Sequence, residues 1–118
     1  MKITTWNIRG LGSRRKQRNL SKRIREEKPD IVFIQETKCS MERIREKHSK
    51  WVNRYEYLEV KENKSAGGIL TLSDSHKFGV IDAEASRHHL SLIFQPVGDR
   101  QCYMITNVYG SQPMEEKL

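Results

Sequence analysis

Two apolar runs, ITTWNI at 3–8 and IVFI at 31–34, constrain this chain more than anything else in it. Both are rich in β-branched and aromatic residues, the composition of strands. The segment between them reads as a crossover helix. RGLGS (9–13) is a loop whose two glycines can take positive φ. Ser13 can cap a helix by accepting a backbone N–H bond. Leu20 and Ile24 lie one turn apart and make a narrow apolar stripe, and Pro29 ends the helix by disfavouring helical geometry at Lys28. Strand, helix and strand at this spacing predict a βαβ unit in which 3–8 and 31–35 run parallel. Asn7 and Glu36 then sit at the C-terminal ends of their strands, the edge where sites collect in open α/β sheets.

Ser40 can cap a second helix, with Met41, Ile44, His48, Trp51 and Val52 on one face at helical spacing. Beyond Asn53 the pattern changes. YEYLEV (55–60), GGILTL (67–72), KFGVIDAE (77–84), HLSLIFQPV (89–97) and CYMITNVYG (102–110) read as short strands. Turn-rich pieces separate them, which predicts an antiparallel hairpin series. SQPMEEKL (111–118) has the makings of a helix start, with Pro113 followed by two glutamates. Each apolar face of a sheet needs a covering layer. Two helices and a short tail are too few layers for this many strands, which points to a piece of a larger domain.

With 118 residues there is room for one domain. No apolar run approaches membrane-spanning length. MKITTWNIRG lacks a signal-peptide core, so the expected location is intracellular, nuclear or cytoplasmic, and not secreted. Cys39 and Cys102 are isolated, which argues against zinc and for reduced thiols. The net charge is +7 and lopsided: residues 1–59 hold sixteen Lys and Arg against eight acids, residues 60–118 six against seven. The densest part is RRKQRNLSKRIREEK (14–28). A one-sided basic field suits a polyanion such as nucleic acid. A solvated helix face carries the same signature.

Asn7 and Glu36 facing one point would offer hard oxygen ligands for Mg²⁺ or Mn²⁺. On the residues alone, an Asn stabilising a turn and a Glu capping the second helix is the commoner arrangement, and the metal reading the rarer one. His48 reads as packed, and His88 and His89 as strand-flanking residues with nothing to mark them as ligands.

TTWNIRGLG followed by PDIVFIQETK closely resembles the opening of the endonuclease/exonuclease/phosphatase superfamily. The wording is nearest to the N-terminal endonuclease domain of LINE-type, non-LTR retrotransposons, which is similar to apurinic endonucleases. SAGGILTL resembles the family's next glycine-containing strand, and ITNVYGSQ the strand that ends in an active-site tyrosine. The fold this resemblance implies is α/β: the N-terminal part of a four-layer α/β/β/α sandwich, seen here as a mixed sheet with two helices. Residues 1–118 would be a partial domain. The sheet face meant for the second sheet would then lie open, an apolar patch prone to association.

By the same resemblance, Glu36 is a metal ligand and Asn7 helps position metal and phosphate. Tyr109 contacts the scissile phosphate, where a phenol can stabilise developing charge. Arg9, Arg14, Arg15, Lys16 and Lys38 would face nucleic-acid phosphates. The implied reaction is phosphodiester hydrolysis of DNA with Mg²⁺ or Mn²⁺ as cofactor. Implied neighbours are the domain's downstream half or a reverse-transcriptase region. A non-catalytic nucleic-acid-binding or functionless retroelement fragment is the alternative.

Two departures matter. Arg9 stands where apurinic endonucleases carry an acid, which disfavours the repair type. The G-D-x-N and C-terminal S-D-H motifs that complete the family's site are missing from these 118 residues. SDSHKF (73–78) has an extra residue between Asp74 and His76 and precedes Tyr109, so it is no substitute.

Overall fold

A computed structural model of the chain describes residues 1–42, 44, 53–60, 68–86 and 88–108. Strand β1 (Ile3–Asn7), helix α1 (Arg14–Glu27) and strand β2 (Ile31–Gln35) form the predicted βαβ unit. β1 and β2 are parallel, with Ile3 opposite Ile31 and Asn7 opposite Gln35. The helix begins where its sequence says it should. Ser13 has extended backbone and its Oγ accepts from the Lys16 N–H at 3.2 Å. It ends at Lys28, which takes the left-handed conformation and donates its N–H to the Ile24 carbonyl at 2.9 Å. Pro29 follows and forbids continuation.

The five remaining strands also fall where expected: β3 (Tyr55–Val60), β4 (Ile69–Asp74), β5 (Phe78–Ala85), β6 (His89–Pro96) and β7 (Tyr103–Val108). Their pairing is the surprise. β4 inserts between β2 and β3, antiparallel to both, giving a four-stranded mixed sheet in the order β1-β2-β4-β3. β5, β6 and β7 form a separate antiparallel sheet.

The two sheets pack face to face, with α1 outside the larger one. Alternation along β2 shows how. Val32 and Ile34 join Leu70, Leu72, Leu20 and Ile24 beneath the helix. Ile31 and Phe33 point the other way, onto Phe78, Phe94 and Ile105 of the second sheet. Ile69 likewise meets Leu90 and Leu92. β2 and β4 read as nearly continuous apolar runs because both faces are covered.

The expectation of an open inner face is therefore corrected: strands β5–β7 of the chain itself cover it. Strand alternation marks each strand but not its partner, so the split into two sheets was hidden. Apolar exposure instead falls on the outer side of the small sheet, at Ile81, Met104 and Val108. A register shift between Val80 and Asp82 leaves Ile81 without a partner in β6. Most of the predicted second helix, with His48, Trp51 and Val52, lies outside the described residues. Met41 and Ile44 are buried in the same apolar cluster as Leu20 and Ile24. Among the described residues no helix is long and apolar enough to cross a membrane.

Asp30 fastens the edge of the fold remote from Glu36. Its carboxylate accepts from the Lys2 N–H at 2.7 Å and from Lys77 Nζ at 2.5 Å. Burial pushes its pKa upward, but the bonds from Lys77 and Lys2 outweigh burial, so the net shift is downward from 3.8. A lowered folded pKa gives stability that is present above 3.8 and lost as pH falls through the folded value. Asp30→Asn should therefore destabilise by about 1–3 kcal/mol near neutrality. The difference from wild type should shrink as urea melts are repeated towards pH 3, below the ordinary carboxylate range of about 3.9. Phe94, 2% exposed and packed edge-on to Phe78, joins the sheets, and Phe94→Ala should cost about 3–5 kcal/mol in the same assay.

Candidate active site

The parallel register leaves β1 and β2 finishing side by side, and the two chains stay zipped beyond the strands. Ile8 N–H donates to the Gln35 carbonyl at 3.1 Å, Gly10 to Glu36 at 2.6 Å and Leu11 to Thr37 at 2.6 Å. Thr37 N–H donates in turn to the Gly68 carbonyl at 3.3 Å, tying in the start of β4. From below, Lys16 Nζ donates to the carbonyls of Ile8 at 2.6 Å and Arg9 at 2.8 Å.

This edge is conformationally strained. Among the described residues four that are not glycine have positive φ; one is the helix cap Lys28, and the other three are Arg9 (52°), Glu36 (56°) and Lys38 (49°). The left-handed region is disfavoured for residues with a Cβ, and such outliers concentrate where function holds them. All three carry charge, and Arg9 and Lys38 are exposed. Asn7 Nδ2 donates to Glu36 Oε2 at 2.6 Å, so the two predicted ligands do meet at one point.

Behind them lies a buried polar bridge between the sheets. Gln35 Nε2 donates to Asn107 Oδ1 at 2.8 Å and to Thr5 Oγ1 at 3.2 Å. Asn107 Nδ2 donates to the Leu70 carbonyl at 3.0 Å and to Thr71 Oγ1 at 3.1 Å. Asn107 is fully buried, so each of these bonds offsets a desolvation penalty. The bridge fixes the end of β7, one residue before Tyr109, over the Glu36 edge. Sequence reading missed Gln35 and Asn107 as a pair. The available signal was a polar residue at an inward position of each strand.

The other predicted residues divide. Arg14 and Arg15 are exposed in the first turn of α1, where no acid accompanies them. Lys16 is committed to the loop backbone. Tyr109 lies outside the described residues. Asp74 and His76 are at the opposite edge, where Asp74 accepts from Arg54 Nη2 at 3.0 Å and from the His76 N–H at 2.9 Å. His89 Nδ1 lies 2.6 Å from Ser86 Oγ at the start of β6. Cys39 and Cys102 are free thiols.

A divalent cation fits the donor set in part. One carboxylate and one amide are hard oxygen donors, and Mg²⁺ commonly keeps several waters on one or two carboxylates. Among the described residues no group of three or more His, Cys, Asp and Glu side chains gathers to make a complete cage.

Solved structures with the same fold include the human Nocturnin catalytic domain with bound sulfate (12% identity, TM-score 0.73, covering 90% of this chain and 48% of that one). The TDP2 protein of D. rerio, complexed with single strand DNA product, matches at 17% identity and TM-score 0.69, over 99% of this chain and 49% of that one. A mannosyl-6-phosphatase of Bacteroides thetaiotaomicron matches at 10% identity and TM-score 0.66, over 90% and 50%. The chain thus spans about half the length of these structures. A comparison with curated proteins finds no match.

The layered fold is the one these structures share. Residues 4–106 match the endonuclease/exonuclease/phosphatase family, and the chain belongs to it.

Gly68 offers a test of how tightly the edge is built. Its φ is +114°, and a Cβ there would collide with Thr37 Oγ1, next to Glu36. Gly68→Ala should lose about 1–3 kcal/mol of stability. Gly79→Ala is the control, since a Cβ there meets nothing, and it should melt within about 0.5 kcal/mol of wild type.

Proposed function

We propose that the chain is the N-terminal part of a divalent-metal-dependent nuclease that hydrolyses DNA phosphodiesters, of the retrotransposon endonuclease type. The observation that carries this reading is Glu36: a charged residue held in left-handed backbone at a strand tip, with Asn7 bonded to its carboxylate. Packing does not require a carboxylate there, because Asn7 is exposed and Glu36 is only half-buried. Glu36 and Asn7 would hold Mg²⁺ or Mn²⁺, which supplies charge neutralisation at the phosphate and a more acidic water. Arg9 and Lys38 flank the carboxylate and would attract and orient the phosphodiester.

Tyr109, directly after the anchored end of β7, would donate to a non-bridging phosphate oxygen. The general base is not among Asn7, Glu36 and Tyr109. In this reading it comes from polypeptide beyond these 118 residues, as the half-length match to the solved structures supports. The single-strand DNA product carried by the D. rerio TDP2 structure supports a nucleic-acid substrate for this fold.

A second reading is a nucleic-acid-binding fragment without catalysis, which the exposed cations of α1 favour. Nicking of supercoiled plasmid with Mg²⁺, by a chain extended to include the downstream polypeptide that this reading requires, separates the two. The catalytic reading expects cleavage that EDTA abolishes and that Glu36→Ala lowers by at least about 100-fold, the scale of losing an electrostatic stabiliser. Retained DNA with no Glu36-dependent nicking would leave the binding reading in its place.

A further inference from the structure

We infer that α1 is a DNA-backbone track, running from the Glu36 edge to an anion-sized hollow at the other end of the helix. This rests on the nucleic-acid reading above and adds a site to it. Arg14, Arg18, Lys22 and Arg25 follow one another at steps of four, four and three residues. At 3.6 residues per turn they share an arc of about 80° and a line about 16 Å long. All four are exposed, and none has an ion-pair partner among the described residues.

The paired charges of the helix lie on its other flank. Arg23 stacks over the Trp6 ring at 5.1 Å and bonds Glu27, which also accepts from Thr4. That flank faces β1 and is electrostatically spent. Among the described residues the helix thus keeps a cationic row without ion-pair partners on one side, with exposed Glu26 beside its end, and the Arg23–Glu27 pair on the other.

The row leads somewhere at both ends. Its first member follows the Arg9–Ser13 loop, on the same edge as Asn7 and Glu36. Its last member, Arg25, lines a hollow of about 180 Å³ together with Lys28 and Arg54. A single water needs only about 10–15 Å³ of such space, so a hydrated anion has room there; Ile24 and Tyr55 complete the lining. Arg54 spends Nε and Nη2 on Asp74, leaving its other N–H donors for an anion.

The chemistry selects a regular polyanion. Cations one turn apart repeat every 5–6 Å or so, a stride suited to successive phosphates of a strand. A lipid surface would need an apolar face beside the cations, and α1 spends its apolar face, Leu20 and Ile24, on the sheet.

The test is fluorescence anisotropy of a labelled duplex oligonucleotide in EDTA, titrated with the 118-residue chain at several salt concentrations. EDTA removes any metal-dependent contribution, so failure of the cleavage reading and failure of the track are separate results. The variant is Arg14→Ala/Arg18→Ala/Lys22→Ala/Arg25→Ala; alanine suits exposed helix positions, and circular dichroism checks that the fold is kept. Each lost phosphate contact should lower the slope of log K against log salt by about 0.9, or about 3–4 in all. Arg25→Ala/Lys28→Ala, at the hollow alone, should lower it by about 2. An unchanged slope in the four-fold variant overturns the proposal, as does a wild-type chain that prefers poly-glutamate to DNA or binds neither at low salt.

Discussion

The parallel pairing that sets Asn7 opposite Gln35 governs this structure. One residue further along, it brings Glu36 against Asn7, and it aligns the two loop backbones that stay bonded as far as Leu11 and Thr37. A slip of one residue would exchange the faces of β2. Val32 and Ile34 would leave the helix, and Gln35 would lose Asn107. Register is therefore fixed by apolar burial on one face and by a buried amide pair on the other. The site inherits its geometry from that agreement.

Much of this is legible in the chain. The βαβ unit could be read because several independent signals agree on it: β-branched runs, Ser13, the Leu20 and Ile24 stripe, and Pro29. Strands β3 to β7 could be placed because turn residues punctuate them. What alternation cannot carry is the choice of partner. YEYLEV and GGILTL pair with each other, as a hairpin series requires, yet β4 also adds to β2, and KFGVIDAE starts a new sheet. The change of sheet is made over the turn at Ser75–Lys77, where Lys77 reaches back to Asp30, a contact between residues far apart in sequence.

The site was legible as residue types and hidden as conformation. Glu36 stands out in the sequence as an acid ending an apolar run. Its positive φ does not stand out, because it is imposed by backbone bonds from Gly10 and by the neighbouring Thr37–Gly68 contact rather than by local preference. Lys16 shows the converse. In sequence it is one more cation in a basic run, and the fold uses its ammonium to close the β1–α1 loop. Charge density alone cannot distinguish a lysine that binds a ligand from one that binds its own backbone.

The way the edge is held bears on what its side chains are for. Backbone hydrogen bonds and Lys16 do the fixing, and the buried amides Gln35 and Asn107 anchor it from behind. Arg9, Glu36 and Lys38 contribute little packing and occupy backbone that glycine would adopt at lower cost. Stability therefore does not explain the presence of three charged side chains there. Under the proposed function the demand comes from outside the fold: the carboxylate would hold a cation and the flanking bases would draw an anion, and a phosphodiester beside a divalent metal would satisfy both at once.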